Sequence, residues 1–174
     1  LHRPDHDGPH HEDRQMSRQP FYHSTERQRA LLAEVHSWEG TPFSENCAVK
    51  GRQGGVSCER WQAALHAATG ACPALDLPVF GVEEVRHWHE HHKESLILYW
   101  LGLPEIRSLV RRVDEADAPM IGDIVVMRVD QTEHHLGVWC FPRIYHVAIP
   151  TGVVWHGARD AELRKIVRCF YRIL

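Results

Sequence analysis

Near residue 122 the chain changes its hydrophobic rhythm, and no other feature restricts its fold as much. Before that point apolar residues recur at helical spacing. Leu31, Leu32, Val35 and Trp38 share one face of a stretch over 25–38, with Ser24 or Thr25 available to cap it and Gly40 to stop it. Trp61, Ala64, Leu65 and Ala68 do the same over 58–69, with Ser57 as the expected cap and Gly70 as the stop. Residues 82–92, 94–101 and 104–113 are further expected helices, and 39–57 reads as a loop. Beyond residue 122 come short β-branched or aromatic runs at 123–129, 136–141, 144–149 and 153–155. Turn residues separate them at Gly122, 130–133, Pro142 and Thr151-Gly152. A helix over 161–166 and a strand reaching Ile173 end the chain. Helices followed by a strand meander predict an α+β fold, with N-terminal helices packed on a C-terminal antiparallel sheet.

A length of 174 residues suits one domain. Residues 1–20 are polar and rich in histidine and proline, which predicts disorder, so the domain is expected over 21–174. The net charge of −3, with lysines and arginines spread along the chain, offers nothing to nucleic acid or an anionic membrane. No apolar run approaches the roughly 18 residues of a membrane span, and the first residues carry no leader pattern. Cytoplasmic synthesis is therefore expected. The five cysteines are odd in number and include no CxxC pair, which argues against a disulfide framework or a cysteine zinc site. No cofactor is expected.

One of those cysteines stands apart. Cys58 follows Gly54-Gly55-Val56-Ser57 and opens an apolar helix. Thiolate is the attacking form of cysteine, and the free N–H groups of a first helical turn favour it. Cys47 lies in a loop, and Cys140 and Cys169 lie in expected strands, so none of these shares that setting. A cysteine nucleophile also needs an imidazole base and a group that orients the base. His134-His135 opens the strand Leu136-Gly137-Val138-Trp139, and His146 lies 11 residues beyond His135 in the next strand. Adjacent antiparallel strands bring His135 and His146 together, so His146 is the expected orienter. Strand alternation lets only one of His134 and His135 face Cys58. His134 is the rival base and His156 the rival orienter.

Four segments carry a resemblance: Gly40-Thr41-Pro42-Phe43, Gly55-Val56-Ser57-Cys58, Gly122-Asp123-Ile124-Val125 and His135-Leu136-Gly137-Val138. Together with Ile144-Tyr145-His146-Val147, they resemble the NlpC-type cell-wall cysteine peptidases, over roughly residues 26–174. The insertion Asn46 to Gly51 is similar to a phage- or bacterial-associated subgroup. The resemblance implies a papain-like fold and a Cys58–His135–His146 triad. It also implies hydrolysis of a peptidoglycan stem peptide, at a D-glutamyl to diamino-acid bond. With no leader pattern, delivery by a phage tail or cell lysis, or action on recycled wall peptides in the cytoplasm, is expected. Two positions depart from the family pattern. Phe43 replaces a loop tyrosine that serves the oxyanion hole, which leaves Asn46, Ser44 or backbone N–H groups as donors. Ser57 replaces an aspartate before the nucleophile. An amidase or acyltransferase of the same fold, and a non-catalytic binding module, stay open beside this reading.

Other features have plainer accounts. His87 and His91 share a helix face, as zinc ligands would, but no third and fourth ligands are evident, and a solvated helix is expected. His2, His6, His10 and His11 form no site. Trp100, Trp139 and Trp155 suit either a sugar cleft or the core, with core expected for Trp139.

Overall fold

The computed structural model describes residues 18–129 and 132–174. Most of the segment expected to be disordered, its four histidines, and the centre of the turn at 130–133 lie outside the described residues.

A short 3₁₀ turn, Phe21–His23, leads into helix α1, Thr25–Ser37, whose cap is Ser24: its Oγ accepts from the Arg27 N–H at 3.3 Å. Gly40 ends this segment in the left-handed region (φ 77°), where glycine carries no Cβ penalty. The expected loop at 39–57 contains a hairpin, β1 Ala48–Val49 and β2 Gly55–Val56. Two residues per strand are too few to leave a period-2 signal. Helix α2 follows as Cys58–Ala68. The expected helix over 82–92 is broken into α3 Val82–Arg86 and α4 Trp88–His91, because His87 leaves helical geometry (ψ 13°). Next come α5 Leu96–Gly102 and α6 Pro104–Arg107. The helix expected over 104–113 is corrected: Pro104 starts one turn, and Val110–Arg112 is then strand β3. Tertiary pairing with the chain's last strand overrides helical propensity there.

Strands β4 Ile124–Val129, β5 Thr132–Cys140, β6 Arg143–Ala148 and β7 Gly152–Gly157 form the meander. Helix α7, Ala161–Ile166, leads to β8, Val167–Ile173. The six-stranded sheet has the order β3-β8-β4-β5-β6-β7, antiparallel throughout. One face receives the helices. Leu31, Val35, Trp61, Leu65, Ile97 and Trp100 pack with Val126, Leu136, Val138, Tyr145 and Val147. The other face carries a smaller cluster of Val125, Met127, Ile144, Ala158 and Leu163 under α7.

Two buried polar anchors brace the sheet, one tying the loop before α2 to β7 and the other tying the turn before β4 to β8. Thr41 is fully buried. Its hydroxyl accepts from the Gly51 N–H at 2.9 Å, and its carbonyl accepts from the Val153 N–H at 3.1 Å. Gly152, at φ 92°, lies so close to that carbonyl that a Cβ there would collide with it. The second anchor is Asp123 with Arg172. Arg172 Nε and Nη2 meet the two carboxylate oxygens at 3.0 and 2.8 Å, both side chains being buried. Among the described residues no helix is long and apolar enough to cross a membrane.

Candidate active site

Ser57 is extended, and its carbonyl receives the Trp61 N–H at 2.9 Å, so Cys58 opens α2 as its sequence setting requires. The Ser57 side chain does not cap the helix. Its hydroxyl instead donates to the Glu59 carboxylate. The other oxygen of that carboxylate lies 3.5 Å from Cys58 Sγ, within reach of the thiol proton. Glu59 therefore spans the two residues before it, a contact absent from the sequence reading. The signal for it was an acidic residue directly after the cysteine.

A cavity of about 930 Å³ opens on this turn. Asn46, Ser57, Cys58, His134, His135 and His146 all line it, beside an apolar wall that includes Phe43, Phe80, Leu96 and Trp100. The sheet explains how residues of its two faces meet. β5 and β6 pair from Cys140↔Arg143 as far as Gly137↔His146 and then part. Beyond that point the Leu136 N–H turns to the Cys58 sulfur, which approaches from the helix side. His135 and His146 flank the same opening. His135 pairs with Met127 on the α7 face, and His134 is the extra residue of a bulge at this place in the β4–β5 ladder. The bulge interrupts simple alternation, so alternation does not choose between the two histidines. Hydrogen bonding separates them: His135 Nε2 lies 2.9 Å from His146 Nδ1, whereas His134 Nε2 meets the Thr132 hydroxyl. His146 Nε2 in turn lies 2.8 Å from His156 Nδ1. The rival orienter thus bonds to His146 and does not replace it.

Comparisons with known proteins bear on the fold. No family model matches the chain, and no curated protein matches it. Among solved structures, a crystal structure from Staphylococcus aureus subsp. aureus Mu50, described as similar to lipoprotein, NLP/P60 family, superposes with a TM-score of 0.57 at 14% identity. The match covers 90% of this chain and 44% of that one. The likeness is one of fold, over the matched part of that protein. The chain spans less than half the length of that neighbour.

Within this fold, the electrostatics correct one expectation. The first-turn N–H groups were expected to lower the Cys58 thiol. Burial instead pushes it well up, Glu59 adds to the rise, and the backbone N–H groups of Leu136 and Glu59 offset only part of it. Burial also pulls His135 down to about 4 and His146 to about 3, the latter helped by His135 and His156. The resting pair is therefore neutral thiol and neutral imidazole. Removing the negative charge from residue 59 should ease thiolate formation. Glu59→Gln is expected to raise the rate of Cys58 alkylation by iodoacetamide at pH 7.5 about three- to tenfold. An unchanged rate would remove Glu59 from the account of the thiol.

His66 adds a third buried imidazole. It sits on the buried face of α2, held by the Tyr22 hydroxyl at 2.8 Å and Gln62 Oε1 at 3.2 Å, and burial lowers it to about 3. Below pH 6.5 the unfolded chain takes up protons that these folded sites refuse, so stability falls with falling pH. The loss runs from 6.5 down to about 4 for His135 and about 3 for His66 and His146. Each site contributes up to about 1.4 kcal/mol per pH unit. Urea midpoints measured between pH 7.5 and 4.5 should drop steeply, and a flat profile would contradict three neutral buried imidazoles.

The remaining candidates fall into place. Asn46 (φ 51°) lines the cavity and donates from Nδ2 to the Phe80 carbonyl at 3.1 Å, tying the loop before α2 to the loop before α3. Phe43 lines the cavity and bridges to Val56. His87 pairs with Glu83 and Glu90. Trp100 is buried, Trp139 packs on Phe170, and Trp155 is exposed beneath the Arg143 guanidinium, 4.0 Å from its ring centre.

Proposed function

We propose that this chain is a cysteine-dependent amide hydrolase that cuts a peptidoglycan stem peptide, at a D-glutamyl to diamino-acid bond, through Cys58, His135 and His146. The observation that supports it best is the convergence of these residues, from α2, β5 and β6, on one cavity. The substrate class follows from the resemblance of the motifs.

His135 Nε2 is engaged by His146, which leaves Nδ1 for the thiol. Sulfur attacks the amide carbonyl carbon while Nδ1 takes the thiol proton. Because the resting pair is neutral, proton transfer accompanies the attack. The oxyanion is met by N–H groups at the α2 start and by the second Nδ2 hydrogen of Asn46. The C–N bond then breaks as His135 returns the proton to the leaving amine. Water, deprotonated by His135, attacks the thioester and releases the acid and the Cys58 thiol.

The apolar wall of the cavity favours a second reading, in which the group beside the scissile bond is an apolar acyl chain carried as an amide or ester. A panel of purified muropeptides alongside short- and long-chain acyl amides and esters, analysed by mass spectrometry, separates the two. Cleavage of muropeptides, with a new free amine on the diamino acid, is expected. Turnover of acyl substrates alone would transfer the function to the second reading. No turnover of any member by protein with intact Cys58 would leave a binding module.

A further inference from the structure

His146 is the middle of a row of three histidines. On one side, His135 Nε2 lies 2.9 Å from His146 Nδ1, with the rings edge to face at 89°. On the other, His146 Nε2 lies 2.8 Å from His156 Nδ1, with the rings stacked at 25° and centroids 5.0 Å apart. The placement is built by the sheet. His146 stands opposite Val154 in the β6–β7 ladder, and His156 lies two residues further along β7, on the same face. The row runs from the cavity outward: His135 and His146 line the cavity, and His156 is exposed. The outer ring lies within electrostatic reach of Asp160, whose Oδ1 is held by the Glu162 and Leu163 N–H groups at the start of α7.

A neutral imidazole carries one N–H, so the two hydrogen bonds of the row cannot be oriented independently. If His135 Nδ1 is bare, its hydrogen sits on Nε2 and is donated to His146 Nδ1. The hydrogen of His146 then sits on Nε2 and is donated to His156 Nδ1. If the row runs the other way, His156 donates inward, His146 carries its hydrogen on Nδ1, and His135 is left with Nδ1–H. In that state His135 cannot accept a proton from Cys58. The row therefore has one competent and one incompetent direction, and its outermost member decides between them.

We propose that His156 is a positioning residue for the Cys58–His135 pair: by accepting from His146 it keeps Nδ1 of His135 bare. The inference rests on the reading of Cys58 and His135 as nucleophile and base. With His156 removed, water reaches His146 Nε2 and serves as either donor or acceptor, so the bias is lost. An asparagine at this position can place Oδ1 near the position of the imidazole Nδ1 and accept from His146.

The test uses the full chain, labelled with ¹⁵N, in the native form and as His156→Ala, His156→Asn and His135→Ala. Long-range ¹H–¹⁵N correlations report the tautomers at pH 7.5, and iodoacetamide reports the reactivity of Cys58. Because residue 156 is exposed, its variants are expected to keep the backbone spectrum of the native fold. Native protein should show Nε2–H on His135 and His146. His156→Ala should mix the tautomers of His146 and slow alkylation about three- to tenfold, and His156→Asn should recover both. If His135→Ala slows alkylation while His156→Ala changes neither the rate nor the His146 tautomer, the proposal fails and the Cys58–His135 reading stands. Alkylation indifferent to His135→Ala overturns both.

Discussion

Cys58→Ala and His135→Ala are each expected to lower kcat on the substrate identified by the panel by about four to six orders of magnitude, and the double variant by no more than the larger single loss. In the proposed mechanism nucleophile and base act as one unit, so once either is gone the other has nothing left to do. The side chain at 58 is small and half-buried at the first turn of α2, so Cys58→Ala should unfold within a few degrees of the native protein. His135→Ala removes an imidazole that packs against His146, and some stability is expected to go with it. Activity and thermal unfolding measured on the same samples keep the two effects apart. A Cys58→Ala protein that still turns the substrate over at a tenth of the native rate would exclude Cys58 as nucleophile. Two singles whose losses multiply in the double variant would mean that Cys58 and His135 act independently.

Asp123→Ala is expected to lower folding stability by about 3–5 kcal/mol, a shift of about 1.5–2.5 M in the urea midpoint. The carboxylate receives two bonds from Arg172 and one from the Met120 N–H at 2.7 Å, while Arg172 also donates to the Ala118 carbonyl at 3.0 Å. Truncating Asp123 leaves a guanidinium buried between β4 and β8 without its counter-charge. Most of the loss is the desolvation of that charge, and the double variant separates this from lost packing. Asp123→Ala combined with Arg172→Met removes both charges and should recover most of the stability. If the double variant is as unstable as Asp123→Ala alone, the charge argument is wrong and the site is held by shape. The Gly122-Asp123 pair, which entered as part of a family pattern, thus has a structural account in this chain.

Much of the fold was legible because it is local. Helix α2 could be read from Trp61, Leu65 and the flanking Ser57 and Gly70, and α7 from its own six residues. The meander could be read from β-branched runs broken by Gly122, Pro142 and Gly152. Strand β3 was not legible, since Val110–Arg112 becomes a strand only by pairing with Tyr171, Arg172 and Ile173, some sixty residues away. The hairpin at Ala48–Val49 and Gly55–Val56 was too short to show a period. In the site, the helix-start setting of Cys58 and the pair His135–His146 were visible as spacing. The thiol's electrostatics were not, because a first-turn N–H and a neighbouring carboxylate act on the same sulfur with opposite sign, and only coordinates weigh them against burial.

The sequence alone determined which cysteine opens a helix and which histidines fall on adjacent strands, because helical and strand periods are properties of consecutive residues. Tertiary structure alone decided the parting of β5 and β6 beyond Gly137↔His146, the reach of Glu59 back to Cys58, and the alignment of His156 behind His146. Each of these depends on register and on side-chain direction between separate elements. A one-residue slip in the β6–β7 ladder would turn His156 to the opposite face while leaving the amino-acid sequence unchanged.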